Sequence, residues 1–303
     1  MITANQLVKT YGKKGGVPAV DQVSFSVDRG EIFGLIGPDG AGKTSIFRML
    51  TTLLLPDGGT AVVDGLDVVS DYWKIRKIIG YMPGKFSLYP DLSVAENLRF
   101  FATLFHTTVE ENYHLIRDIY EQLERFRDRR AGKLSGGMKQ KLALCCALIH
   151  APSVLFLDEP TTGVDPVSRK EFWEILQRLK TQQITIMVST PYMDEAMRCD
   201  RIGLIQQGCL LSVDTPKNMI GAYPDDLFRV KAADMHGLLK ATAANDRKTS
   251  GYAFGEYAHI SFEKGTVTLT ELRSYYSRHG FSDAVVEVSS ATIEDCFIKF
   301  LSN

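Results

Sequence analysis

The 303-residue sequence is 45% apolar and 23% charged, the balance of an ordinary folded protein, which excludes disorder, collagen-like repeats and coiled coil as descriptions of the whole. Its 35 Lys and Arg against 36 Asp and Glu leave a net charge of −1, so no electrostatic footprint points to nucleic acid or to an anionic lipid surface. The longest clean apolar run, residues 142–149, is far shorter than the ~20 residues a spanning helix needs, and residues 1–6 lack the basic start and apolar core of a leader.

In chain order, residues 23–27 alternate like a half-buried strand, residues 31–36 read as a buried strand, and residues 45–55 as the helix after its loop. Residues 90–150 carry no strand signal and read as three helices: one starting at Ser93, three residues before Glu96 in capping-box spacing, one at Thr108, and one after Ser135-Gly136-Gly137. Residues 154–157 and 184–188 are continuous apolar strands of the kind a parallel sheet buries on both faces. The helix expected between them, residues 168–180, spaces Phe172, Ile175, Leu176 and Leu179 along one face. This is βαβ grammar and predicts an α/β fold with an inserted helical subdomain. After Pro216 the composition shifts. Strands at 227–230, 259–262 and 285–288 and helices at 272–278 and 293–301 predict a small α+β tail, residues 223–303, after a first domain of residues 1–222. The five cysteines (145, 146, 199, 209 and 296) include no C-x-x-C pair and read as buried thiols of a reducing cytosol, and no two of the six histidines stand four apart, so no zinc site is expected.

Gly37-Pro38-Asp39-Gly40-Ala41-Gly42-Lys43-Thr44 fits G-x-x-x-x-G-K-[ST] between a strand and a helix. Glycines let backbone N–H groups turn inward around phosphate oxygens at a helix N-terminus, Lys43 reaches the β- and γ-phosphates, and the Thr44 hydroxyl, followed by Ser45, suits Mg²⁺. Residues 154–157 end in Asp158 and Glu159. An Asp at the carboxyl end of a central strand can hold Mg²⁺ beside a phosphate loop, and the neighbouring Glu can polarise a water for attack on the γ-phosphate. The catalytic candidates are therefore Lys43 and Glu159, with Thr44 and Asp158 as metal ligands.

Together with these motifs, Leu134-Ser135-Gly136-Gly137-Met138-Lys139-Gln140 resembles the signature of the nucleotide-binding subunits of ATP-binding-cassette (ABC) transporters, a resemblance that covers residues 1–222. It implies a RecA-like α/β core with an antiparallel β subdomain, ATP and Mg²⁺ as cofactors, and Tyr11 as the aromatic that stacks on adenine. Ser135, Gly136 and Gly137 would clamp the γ-phosphate held by a second ATP-binding subunit of a homo- or heterodimer, and Gly163-Val164-Asp165-Pro166 matches the loop that crosses to that partner. Transmembrane permease subunits and a place on the cytoplasmic face of the membrane are implied with it; a nucleic-acid partner is not. Residues 291–297 are similar to the ending of ATPase subunits from ABC-2-type and multidrug exporters.

Two positions depart from the family. Gly84 stands where it usually has the Gln that contacts Mg²⁺ and the attacking water, and Pro191 where it has the His that contacts the γ-phosphate. Neither offers a side-chain donor, which predicts a slow site on this chain beside an intact signature: one half of an asymmetric ATPase pair, or a nucleotide-binding regulatory partner with little hydrolysis of its own. Lys85 is the nearest replacement for the missing Gln. A soluble ABC ATPase of translation or repair would carry a second cassette or a long coiled insertion, and neither is seen. The basic cluster at Arg125, Arg127, Arg129, Arg130 and Lys133 is broken by Glu121, Glu124 and Asp128 and reads as a solvated face.

Overall fold

The structure, a computed structural model, describes residues 1–12 and 16–302. The chain divides into two compact units, Met1–Pro216 and Lys217–Asn303. The first opens with the antiparallel pair β1 (Ile2–Thr10) and β2 (Pro18–Val27), then β3 (Ile32–Ile36), buried at every position. Helix α1 (Lys43–Leu50), β4 (Gly58–Val63), β5 (Leu66–Asp67), α2 (Tyr72–Ile78) and β6 (Ile79–Met82) follow. Three helices come next, α3 (Val94–Leu104), α4 (Tyr113–Glu124) and α5 (Gly136–Leu148). The unit closes with β7 (Val154–Asp158), α6 (Pro166–Thr181), β8 (Thr185–Thr190), β9 (Arg201–Gln206) and β10 (Cys209–Asp214).

One sheet has the order β2-β1-β4-β5 and is antiparallel; the other runs β10-β9-β3-β8-β7-β6, parallel except for β10. This is the α/β core with an antiparallel β subdomain and a helical insertion that the sequence predicts. The unbroken apolar runs in β3, β7 and β8 follow from cover on both faces. Phe172, Ile175, Leu176 and Leu179 of α6 are buried as their spacing requires, and Ser93 caps α3 with the full reciprocal exchange with Glu96.

Two helix boundaries differ from expectation by five residues. Helix α1 stops at Leu50 because Thr52 takes φ +63°, and the N–H groups of Leu53 and Leu54 turn back to the Arg48 carbonyl at 2.8 and 3.0 Å. The second inserted helix begins at Tyr113 rather than Thr108. Thr108 and Glu111 do exchange side-chain and backbone bonds, but they close an isolated turn that Asn112 Nδ2 ties to the Ile149 carbonyl at 2.8 Å. Among the cysteines, Cys145, Cys146, Cys199 and Cys296 are buried as expected, whereas Cys209 is exposed at the start of an edge strand.

From Lys217 the second unit carries most of α7 (Pro216–Gly221), then β11 (Asp225–Lys231), α8 (Met235–Ala243), β12 (Lys248–Phe254), β13 (Tyr257–Glu263), α9 (Leu269–Arg278), β14 (Val285–Ser289) and α10 (Ile293–Ser302). Its sheet, β12-β13-β11-β14, is antiparallel, with Phe228, Ile260, Phe262, Leu272 and Tyr276 among its core. Strand β12 and helix α8 are additions to the expected elements. Asp295, 1% exposed, ties three elements together. It accepts from Thr292 N and Oγ1 at 2.7 and 2.6 Å, from the Tyr252 hydroxyl of β12, and lies 2.7 Å from His259 Nδ1 of β13.

Burial alone would raise the Asp295 carboxyl; the bonds from Thr292, Tyr252 and His259 outweigh it and hold the group below its ordinary value. A carboxylate depressed in the fold contributes stability that is complete above the unfolded value of about 3.9 and fades as the pH falls through the lower folded value. Asp295→Ala should therefore cost about 3 kcal/mol at pH 7, because buried donors lose their acceptor. Apparent melting temperatures of the full-length wild type and variant should differ by a constant gap from pH 5 to 7, and that gap should narrow below about pH 4.

Candidate nucleotide site

Parallel register converges the site. Ile36 of β3 lies opposite Thr190 of β8, Asp158 of β7 opposite Ser189 of β8, and Met82 of β6 opposite Leu157 of β7. The segments that leave β3, β6, β7 and β8 therefore emerge at one carboxyl edge, where α/β sheets bind ligands. Gly37 N–H donates to the Thr190 carbonyl at 3.3 Å and joins the first of these segments to the last.

The loop from Gly37 to Thr44 needs glycine at two points for different reasons. A Cβ on Gly37 would stand 2.2 Å from the Ile205 carbonyl oxygen. Gly42 has φ +104°, and a Cβ there would stand 2.3 Å from the Ala19 carbonyl oxygen. Gly40, Ala41, Gly42, Lys43, Thr44 and Ser45 line a cleft of about 160 Å³ with Ala19 and Glu159. Lys43 is 3% exposed; its Nζ donates to the carbonyls of Gly37 and Pro38 at 2.8 and 2.9 Å and lies 3.2 Å from Glu159 Oε1. Glu159 itself has φ +51°, a left-handed backbone that costs a non-glycine residue roughly 1–2 kcal/mol. The Lys43 ammonium and the Glu159 carboxylate are thus paired directly at the cleft.

Asp158 is 2% exposed at the end of β7. Its Oδ1 accepts from the Ser189 hydroxyl at 2.5 Å. Among the described residues no group of three or more His, Cys, Asp or Glu gathers into a metal cage. That donor set fits Mg²⁺, which keeps waters and substrate phosphates and takes only one or two protein oxygens. The Asp158 carboxylate and the Thr44 hydroxyl are the candidate protein oxygens for such an ion.

Ser135, Gly136 and Gly137 do not line this cleft. They start α5, where the Ser135 hydroxyl caps Met138 N at 3.4 Å. Ser135 and Gly136 are exposed, and an added Cβ on Gly137 would meet Ser168 Oγ at 2.8 Å. Asp165 caps α6 by accepting from Ser168 N at 3.0 Å. The Tyr11 hydroxyl is 3.0 Å from Ser45 Oγ, and half the residue is exposed beside the loop. Gly84 backs on the acidic pair: an added Cβ would stand 3.1 Å from the Asp158 carbonyl oxygen and 3.8 Å from Glu159 Cβ. Lys85 is exposed. Pro191 follows Thr190 directly at the same edge. Ser189 and Ala19 were absent from the sequence-derived candidates; the signal for Ser189 is a hydroxyl at the end of an otherwise apolar buried strand.

Fold and loop together define the class of P-loop nucleotide-binding folds. The ABC transporter family pattern matches residues 20–162. The chain is 34% identical over 306 residues to the daunorubicin resistance ATP-binding protein DrrA2 of Streptomyces coeruleorubidus, covering 98% of this chain and 94% of that protein. It is 44% identical over 221 residues to the "Probable multidrug ABC transporter ATP-binding protein YbhF" of Escherichia coli, covering 72% of this chain but only 38% of that longer protein. Among solved structures it is similar to cbiO1 of Clostridium perfringens, part of the ABC transporter complex cbiONQ, with a TM-score of 0.64 at 25% identity over 73% of this chain and 90% of that one. The chain belongs to the ATP-binding proteins of ABC transporters.

Lys43→Ala removes the cleft's ammonium and should weaken ATP binding about 10- to 100-fold, the effect of losing hydrogen bonds from a charged donor. A titration with a fluorescent ATP analogue checks this; equal affinities would reject the assignment of the loop.

Proposed function

We propose that the chain binds and hydrolyses ATP to power a membrane exporter, and that it works as one half of an asymmetric ATPase pair. The observation that carries the reading is the convergence of Lys43 and Glu159 in a phosphate-loop cleft while Ser135 and Gly136 lie exposed outside it. A clamp facing away from its own chain's cleft is suited to a phosphate presented by another subunit.

In this reading the Lys43 ammonium exchanges its loop carbonyls and Glu159 for the β- and γ-phosphates, and backbone N–H groups at the start of α1 complete the cradle. Released from Lys43, Glu159 accepts the proton of a water attacking the γ-phosphorus as the bond to the β,γ-bridging oxygen breaks. Magnesium, when held by Thr44 and Asp158, neutralises charge on the phosphate oxygens. Tyr11 covers the base. Gly84 and Pro191 leave two positions at this edge without a side-chain donor, and the loss of one positioned donor costs about 10²–10³ in rate. The chain's own site is then slow, while its Ser135 and Gly136 complete a faster one on the partner. The second reading, a regulatory partner with very little turnover, rests on the same two residues.

Among the described residues no helix is long and apolar enough to cross a membrane; on the family resemblance we assign the membrane path to permease subunits. We assign to them an apolar cleft of about 310 Å³ lined by Leu53, Met82, Leu88, Phe101, Phe105 and Cys146 among others. Its rim shares the segment that carries Gly84, which backs on the acidic pair, so a permease segment seated there reaches the nucleotide site through a few residues of backbone.

Glu159→Gln should leave ATP affinity within about twofold and remove most of the turnover of the isolated chain, since only the proton acceptor is lost; steady-state phosphate release by the purified variant checks it.

In the complex with the second ATPase subunit, Ser135→Arg on this chain should abolish turnover by placing a bulky cation in the clamp, whereas Glu159→Gln should matter much less. Phosphate release by the two mutant complexes decides between this and the reverse ranking, which would reject asymmetry.

A further inference from the structure

Ser189 is buried, lies opposite Asp158 in the parallel register, and touches both acidic residues with one hydroxyl. Its Oγ donates to Asp158 Oδ1 at 2.5 Å and accepts from Glu159 N–H at 3.0 Å, while its own carbonyl accepts from that same N–H at 3.0 Å. A hydroxyl has one hydrogen, and here it is committed to Asp158, so the lone pairs are left for Glu159. We infer that Ser189 is a positioning residue for the reaction. It fixes the Asp158 carboxylate so that Oδ2 is presented to magnesium, and it fixes the left-handed backbone of Glu159 that aims the neighbouring carboxylate at the cleft.

The inference rests on the nucleotide-site reading and adds a specific consequence to it. Partners behind a metal ligand set its orientation and basicity, and their loss typically costs 10- to 100-fold in metal affinity. Lys43 Nζ is held by the Gly37 and Pro38 carbonyls and by Glu159 and not by the Ser189 hydroxyl, so ATP affinity without metal should be insensitive to that hydroxyl. Merely structural damage would lower both together.

The experiment measures two quantities on the full chain: affinity for ATP in EDTA, and affinity of the ATP complex for Mn²⁺, followed by electron paramagnetic resonance of the free ion. Ser189→Ala should bind ATP in EDTA within about twofold of wild type, yet bind Mn²⁺ about 10- to 100-fold more weakly. Ser189→Thr, which keeps the hydroxyl, should recover most of that loss. If Ser189→Ala does not fold, the near-isosteric pair Ser189→Thr and Ser189→Val carries the comparison, with the loss expected in the valine variant alone. Mn²⁺ affinity within about twofold in a folded alanine or valine variant would overturn the inference. So would a folded threonine variant as impaired as alanine, since size and not the hydroxyl would then matter. Failure of wild type to bind ATP either in EDTA or with Mn²⁺ would remove the nucleotide-site reading and this inference with it; intact ATP binding with Mn²⁺ affinity indifferent to Ser189 would remove this inference alone.

Discussion

Everything at the candidate site depends on the parallel register of β3, β8, β7 and β6. Strands that run the same way end at the same edge, and the pairings Ile36 with Thr190 and Asp158 with Ser189 set how far each one protrudes there. A slip of one residue in β8 would turn Ser189 to the opposite face and leave the Asp158 carboxylate buried without its hydroxyl. The register is in turn enforced by burial: every residue of β3, β7 and β8 is inside. Packing of apolar side chains far from the cleft therefore fixes the geometry of a charged site.

What was legible in the sequence follows the same division. Continuous apolar strands, the stripe on α6 and the capping box at Ser93 are local patterns, and each appears where its residues place it. The Gly37–Thr44 loop and the acidic pair were readable because their chemistry demands fixed residue types at fixed spacing. Helix α1 is shorter than its pattern predicts because Thr52 adopts a left-handed conformation that its residue type does not announce. Strand β12 escaped because it is an edge strand rich in polar and small residues, held by pairing to β13 rather than by its own pattern. Ser189 escaped as a site residue for a related reason. Its importance comes from lying across from Asp158, a relation between strands 31 residues apart.

Gly84 and Pro191 gain meaning from where they stand. A glycine in a surface loop is ordinary, but this one backs on the carbonyl of Asp158, and this proline follows the residue whose carbonyl receives the N–H of Gly37. Gly84 stands against the acidic pair and Pro191 follows the last residue of β8, and neither contributes a polar side chain. Lys43, Asp158 and Glu159 remain in place beside them. The proposed unequal ATPase pair rests on that contrast between what is kept at this edge and the two side chains that offer no donor.

The hub at Asp295 has a consequence for how the second unit is made. Its partners Tyr252 and His259 lie 43 and 36 residues upstream, and Lys299 of the same helix pairs with Asp225, 74 residues earlier, at 2.7 Å. As the polypeptide leaves the ribosome, the sheet strands are synthesised well before the acceptor they require. Until α10 emerges, a tyrosine hydroxyl and a histidine must either stay hydrated or be buried unpaired. The unit can therefore complete its fold only after residue 295 has been synthesised, and a nascent or shortened chain lacking that residue exposes an unfinished β surface to whatever else is nearby in the cell.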